Sequence, residues 1–392
     1  MLLTLKILGL LTSCVGIIAT YRTFPSNAAR SKMFKAFKIA DISITKKTKK
    51  REIKTYPTIK KVNVFSDKII ILFNIPDGIN PDIIEKHEWL FKQKFGEHIE
   101  ITQMNSKQFI LSIYKQPIRQ FDYNYDDITN SIKNMNLPIL VGQSRSGIEA
   151  YDMTKYPHLL IAGETGSGKS TQLRSILSTL IHSDSNKLKI YLADLKRSEF
   201  HLFKGIANKV VYDADELIKI LRKIKKELTT RGELLEKSEV ANIEDLHSPP
   251  PYILLGIDEV ALLKKEDDIM EIIEEISAIG RALGVYLILS MQRPDASILD
   301  GKLKNNLTVR MAFRHSDEIN SRITLGSGDA ANIKQTQKGL MCFKLDGIKK
   351  IQAPYLELKN AKRLLAPYKN KSVEENDQFQ ESSPMFGALE FD

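Results

Sequence analysis

Cysteine is nearly absent from this chain: two in 392 residues, Cys14 and Cys342, with no C-x-x-C pair and no Cys/His cluster. That excludes a disulfide scaffold and a structural zinc site, and it suits a reducing cytoplasm. Positive charge is scarce at both ends. From Met1 to Tyr21 the one charged side chain is Lys6, and from Ser372 to Asp392 six acids stand without any Lys or Arg. The bases gather between Arg30 and Lys61, where twelve Lys/Arg face only Asp41 and Glu52. That local excess equals the formal +10 of the whole chain.

Twenty residues of helix reach about 30 Å, enough to cross a bilayer. Lys6, near one end of the apolar start, can snorkel to the headgroups. No A-x-A site follows, which argues against a cleaved signal peptide, and the basic flank would hold the rest of the chain on the cytoplasmic side of the cell membrane. The expectation is a single-pass anchor over 1–21, with a peripheral or cleaved segment as its competitor. The basic stretch 22–61 reads as a linker suited to a nucleic-acid backbone or an anionic membrane surface, or as plain solvated chain. Residues 369–392 read as an acidic, disordered tail.

One eight-residue run carries chemistry. Gly163-Glu164-Thr165-Gly166-Ser167-Gly168-Lys169-Ser170 matches G-x-x-x-x-G-K-[ST], the phosphate-cradling loop, and Thr171 follows it. An apolar strand-like run, His158 to Ala162, precedes it. After it, Leu173, Ile176, Leu177, Leu180 and Ile181 fall at helical spacing. Strand, glycine loop and helix in that order let backbone N–H groups and a helix N-terminus converge on phosphate oxygens. Lys169 would reach the β- and γ-phosphates of ATP, and Ser170 would ligate Mg²⁺. The alternative is a glycine turn that merely joins strand to helix.

A second element is expected beside the first. Tyr252 to Ile257 is continuously apolar, as a strand covered on both faces should be, and it ends in Asp258-Glu259. Asp258 suits Mg²⁺ coordination through water, and Glu259 is placed to deprotonate the attacking water. Alternatively, the two acids simply open the next helix, where their charge suits its dipole. Together the motifs predict ATP hydrolysis.

Strand-like runs alternating with helical stretches over 138–368 predict an α/β fold with a mainly parallel sheet covered on both faces. Before it, 62–137 reads as a small α+β module, with strands at Val62–Phe65 and Lys68–Asn74, a helix from Pro81 to Phe95, and a hairpin of Ile99–Gln103 with Gln108–Tyr114.

Several segments, in order, resemble the FtsK/SpoIIIE family of DNA translocases. Tyr156 to Gly163 resembles that family's lead into its phosphate loop. Gly284 to Pro294 (GVYLILSMQRP) is similar to its G-I-H-L-I-L-A-T-Q-R-P segment, and Arg310 to Arg314 with Ser321-Arg322 is similar to its R-I-A-F and S-R-T-I-L pieces. Asp194-Leu195-Lys196 with Glu199 resembles its D-P-K-x-x-E-L. The likeness covers roughly 137–345. It implies a RecA-like P-loop motor, ringed as a hexamer of itself around double-stranded DNA. On that reading Gln292 senses the γ-phosphate, Arg281 or Arg322 is offered across the subunit boundary, and Lys196, Arg197 and Arg314 face DNA. Full-length chromosomal members carry several membrane spans and a C-terminal DNA reader; the expectation here is at most one span and a short acidic stretch after the motor. A compact motor tethered at the cytoplasmic face of the membrane better resembles the members that pass DNA to transfer-channel proteins in conjugation. A protein-secretion ATPase of the type VII kind is the alternative, since it shares the core; its several tandem motor domains contrast with the single phosphate loop here.

Overall fold

The computed structural model describes residues 25–48, 51–184, 187–299 and 301–369. The expected anchor over 1–21 and the acidic tail beyond Lys369 lie outside the described residues. Among the described residues, no helix is long and apolar enough to cross a membrane. The chain divides into two compact units, Met1–Pro117 and Ile118–Asp392.

The first unit opens with α1 (Pro25–Ile39) and a hairpin of β1 (Ile44–Thr48) and β2 (Arg51–Thr55). There follow β3 (Thr58–Val64), β4 (Lys68–Asn74), α2 (Asp82–Lys86), α3 (Glu88–Phe95), β5 (Ile99–Gln103) and β6 (Gln108–Tyr114). Strands β3 to β6 form an antiparallel sheet in the order β3-β4-β6-β5. The expected basic linker over 22–61 is corrected here, because most of it is folded. Ala29, Met33, Ala36 and Phe37 fall on one face of α1 and are buried, while Lys32, Lys35 and Lys38 stay in solvent. Phe37 lies 5.3 Å from Phe73, whose ring stacks on Phe109 at 5.5 Å. A four-residue apolar stripe was hidden by the basic count around it.

The second unit contains β7 (Phe121–Asp122), α4 (Tyr125–Ile132), β8 (Pro138–Gln143), β9 (Ile148–Asp152), β10 (Leu159–Ala162) and α5 (Lys169–Asp184). Next come β11 (Leu188–Asp194), β12 (Lys209–Val211), α6 (Ala214–Ser238), β13 (Tyr252–Asp258), α7 (Asp267–Ile279) and β14 (Val285–Met291). It ends with α8 (Gly301–Asn306), β15 (Val309–Phe313), α9 (Glu318–Leu325), β16 (Leu340–Lys344), β17 (Ile348–Gln352), β18 (Pro354–Tyr355) and α10 (Leu358–Leu365). Ten of these strands make one sheet, ordered β12-β11-β13-β14-β10-β15-β16-β17-β8-β9.

From β12 to β15 neighbours run parallel; from β15 to β9 they run antiparallel. The sheet is therefore mixed: the expected parallel part runs from β12 to β15, and an antiparallel part adjoins it. Connection length is the reason: three residues join β16 to β17 and four join β8 to β9, too few for the crossover a parallel pair needs. Side chains alternate between faces along the parallel strands. Leu159 and Ile161 pack under α5 and α10, whereas Leu160 and Ala162 pack under α6 and α7. Strand β10 sits between β14 and β15, a reversal of strand order of the kind at whose carboxyl ends open α/β sheets bind ligands.

Candidate functional site

The glycine loop leaves β10 at its carboxyl end. Gly163, Gly166 and Gly168 all have positive φ (157°, 77° and 120°), and α5 begins at Lys169. A Cβ on Gly168 would lie 2.9 Å from the Gly339 Cα and 3.1 Å from its nitrogen; one on Gly166 would meet nothing within 4 Å. Gly339 also donates its N–H to the Ser167 carbonyl at 2.8 Å, tying the loop to the start of β16. Gly168→Ala is therefore expected to push the loop off Gly339, costing about 1–3 kcal/mol of stability and at least about tenfold in nucleotide affinity. Gly166→Ala meets no neighbour but carries the same left-handed strain, so it should cost less than Gly168→Ala without being neutral. Thermal melts and titration with a fluorescent ATP analogue check both.

Lys169, only 4% exposed, donates to the Asp258 carboxylate at 2.8 Å and to the Ser290 hydroxyl at 2.7 Å. Ser290 in turn donates to the same Asp258 oxygen at 2.8 Å. Strand β14, which carries Ser290, lies between the loop strand β10 and the Asp258 strand β13. The lysine and the aspartate therefore meet across an intervening strand. Ser290 was not singled out from sequence; its one signal is a hydroxyl within an otherwise apolar buried run.

Glu259 is 4% exposed and holds a left-handed backbone (φ 57°). Its two carboxylate oxygens accept the Gln292 backbone N–H at 3.1 and 3.2 Å. Lys196 donates to its Oε2 at 2.7 Å. Gln292 is thus beside Glu259, and the contact is made by its backbone N–H. Lys196, expected to face DNA, instead reaches the catalytic candidate. Arg314, expected likewise, pairs with Glu164 of the glycine loop. Arg197 keeps an exposed place, its guanidinium 5.3 Å from the Tyr212 ring. Arg281 and Arg322 are both exposed, and Arg322 shares a 3.3 Å surface pair with Glu318.

Both Lys196 and Glu199 come from one turn after β11. Asp194, fully buried, accepts the backbone N–H groups of Ser198, Glu199 and Phe200 at 2.9, 3.0 and 2.9 Å. Glu199 accepts the Ser170 hydroxyl. Burial pushes its carboxyl up, and nearby Asp258 pushes the same way; the Ser170 bond, Lys169 and Arg174 oppose them. Sequence reasoning reached Glu199 through a motif alone, without its contact to Ser170.

The residues present fit a nucleoside triphosphate with Mg²⁺. Three glycines with positive φ and a helix start make an anion cradle. Ser170, Asp258 and Glu199 supply hard oxygen donors, the kind Mg²⁺ takes. Among the described residues no group of three His, Cys, Asp or Glu could hold an ion alone.

Fold and site together define a P-loop NTPase equipped to hydrolyse a nucleoside triphosphate. Residues 126–249 match the FtsK/SpoIIIE family model, and the chain carries a motor domain of that family. It is 31% identical over 249 residues to the DNA translocase FtsK of Chlorobaculum tepidum, covering 57% of this chain and 31% of that protein. This chain spans about a third of the length of the curated relatives it matches. Among solved structures, the pCW3 conjugation coupling protein TcpA, in its monomer form with ATPγS, is similar with a TM-score of 0.59 and 25% identity, over 80% of this chain and 94% of that one. EssC (ATPases 2 and 3) from Geobacillus thermodenitrificans shares the fold, with a TM-score of 0.57 and 20% identity, over 67% of this chain and 52% of that one.

Proposed function

We propose that this protein is an ATP-driven motor for double-stranded DNA, held at the cytoplasmic face of the membrane by its N-terminal segment and serving DNA transfer. The observation that carries the reading is the likeness to a conjugation coupling protein over nearly that protein's whole length, on top of the family match. The type VII protein-secretion reading has a shared fold behind it and nothing further.

In this reading the glycine-loop amides, Lys169 and Thr171 bind the phosphates, while Ser170 and Asp258 hold Mg²⁺. When bound, the metal neutralises charge developing on the transferred phosphoryl group. Lys169 already shares the Asp258 oxygen with Ser290, so phosphate oxygens and the metal would divide that buried pair between them. Glu259, fixed through the Gln292 N–H, takes the proton of the attacking water. The Gln292 side chain reads the γ-phosphate, and Arg281 or Arg322 completes a neighbour's site in a hexameric ring. Arg197 is the exposed base suited to a phosphate backbone.

ATP hydrolysis measured with and without duplex DNA tests the proposal. Stimulation is expected at about 50 mM salt and should fade by about 200 mM, because released counterions drive backbone binding. No stimulation at low salt would sink the DNA reading.

A further inference from the structure

The turn Asp194–Phe200 touches both halves of the candidate site: Glu199 accepts the Ser170 hydroxyl, and Lys196 donates to Glu259. It is a stiff piece. The buried Asp194 carboxylate gathers three successive backbone N–H groups, Phe200 is buried at its far end, and Arg197 turns through a left-handed conformation (φ 56°). Yet its outer edge, Lys196-Arg197-Ser198, is exposed. The Lys196 side chain is 32% exposed, whereas the side chain of its partner Glu259 is 6% exposed. One end of this ion pair can be reached from solvent and the other cannot.

The pair is not needed to aim the carboxylate. The Gln292 N–H already reaches both Glu259 oxygens. What the ammonium does at 2.7 Å is occupy lone-pair density on Oε2, the density an attacking water's proton needs. A lysine head is a mobile point charge on a flexible stem, and it exchanges one anion for another readily. A phosphate backbone laid on the exposed edge offers that other anion within the stem's reach. Arg197, stacked on Tyr212, supplies a second positive charge beside it.

We propose that Lys196 acts as a brake on Glu259, released when a phosphate backbone engages the exposed Lys196-Arg197-Ser198 edge. Lys196 is then a positioning residue that acts through Glu259. It links polyanion contact to hydrolysis within one subunit, with no large movement of the sheet. The inference rests on the motor reading above, and it deepens that reading by naming where the nucleic acid is sensed.

The test uses the full chain and steady-state phosphate release, with and without a mixed-sequence duplex at low salt. Lys196→Ala and the near-isosteric Lys196→Met are expected to raise basal kcat about fivefold with KM for ATP unchanged. Both should show little further stimulation by the duplex. Lys196→Arg, which keeps a charge that can pair with Glu259, should restore a low basal rate and stimulation. A loss of packing would shift melting temperature and KM together and would not be rescued by arginine. Wild-type basal rate with full stimulation in Lys196→Ala would overturn the proposal; so would a fall in basal rate, since Lys196 would then be assisting Glu259. If wild type itself ignores duplex DNA, the DNA reading fails; the basal rates of the variants still decide whether Lys196 restrains Glu259.

Discussion

Lys169→Ala is expected to abolish ATP turnover, lowering it at least about a hundredfold, and to destabilise the protein as well. Two separate losses follow from one deletion. The ammonium that would stabilise phosphoryl charge is gone. Asp258, with its side chain 2% exposed, is also left without the counter-charge it has at 2.8 Å. Breaking a buried pair by removing one partner typically costs about 3–5 kcal/mol. Ser290 still donates to Asp258, which moderates that cost. The two losses are read separately: phosphate release reports turnover, and chemical denaturation reports stability. A second substitution, Asp258→Asn on top of Lys169→Ala, should recover part of the stability and none of the activity. Wild-type hydrolysis in Lys169→Ala would refute the site.

Glu259→Gln is expected to do the reverse: keep the fold and the nucleotide and stop the chemistry. Glutamine matches glutamate in shape, and its carbonyl oxygen still accepts the Gln292 N–H that fixes the side chain. It lacks the second anionic oxygen and cannot take water's proton. Loss of a positioned general base costs about 10² to 10⁴ in rate. ATP should therefore stay bound and uncut. Filter binding of labelled ATP, followed by product analysis after a single turnover time, reads this directly. Wild-type cleavage in the variant would remove Glu259 from its role; loss of ATP binding would mean that the carboxylate holds the ligand and does not activate water.

Most of the motor unit could be read along the chain because its signals are local. A continuous apolar run, a glycine loop and a helical stripe each need only a few neighbouring residues to declare themselves. Strands β10, β13 and β14, helix α5 and the Asp258-Glu259 ending were all legible in this way. The basic stretch 22–61 was misread for a related reason. Charge is counted residue by residue, whereas the stripe Ala29, Met33, Ala36 and Phe37 becomes visible only once a helical period is imposed. Alternation of strands and helices accounts for the parallel part of the sheet, β12 to β15; beyond it, short connections make the pairs antiparallel.

The sequence by itself determined the chemistry available: a phosphate cradle with its lysine, a hydroxyl for a metal, an acidic pair, and the strand-and-helix rhythm that would carry them. Only the tertiary structure decided which groups meet. It inserted β14 between β10 and β13 and thereby put Ser290 in contact with both Lys169 and Asp258. It brought Lys196 to Glu259 and Arg314 to Glu164, across 63 and 150 residues. The physical reason is range. Backbone periodicity is written in neighbours a few positions apart, but an ion pair is fixed by strand order, and strand order depends on how the whole sheet buries its two faces.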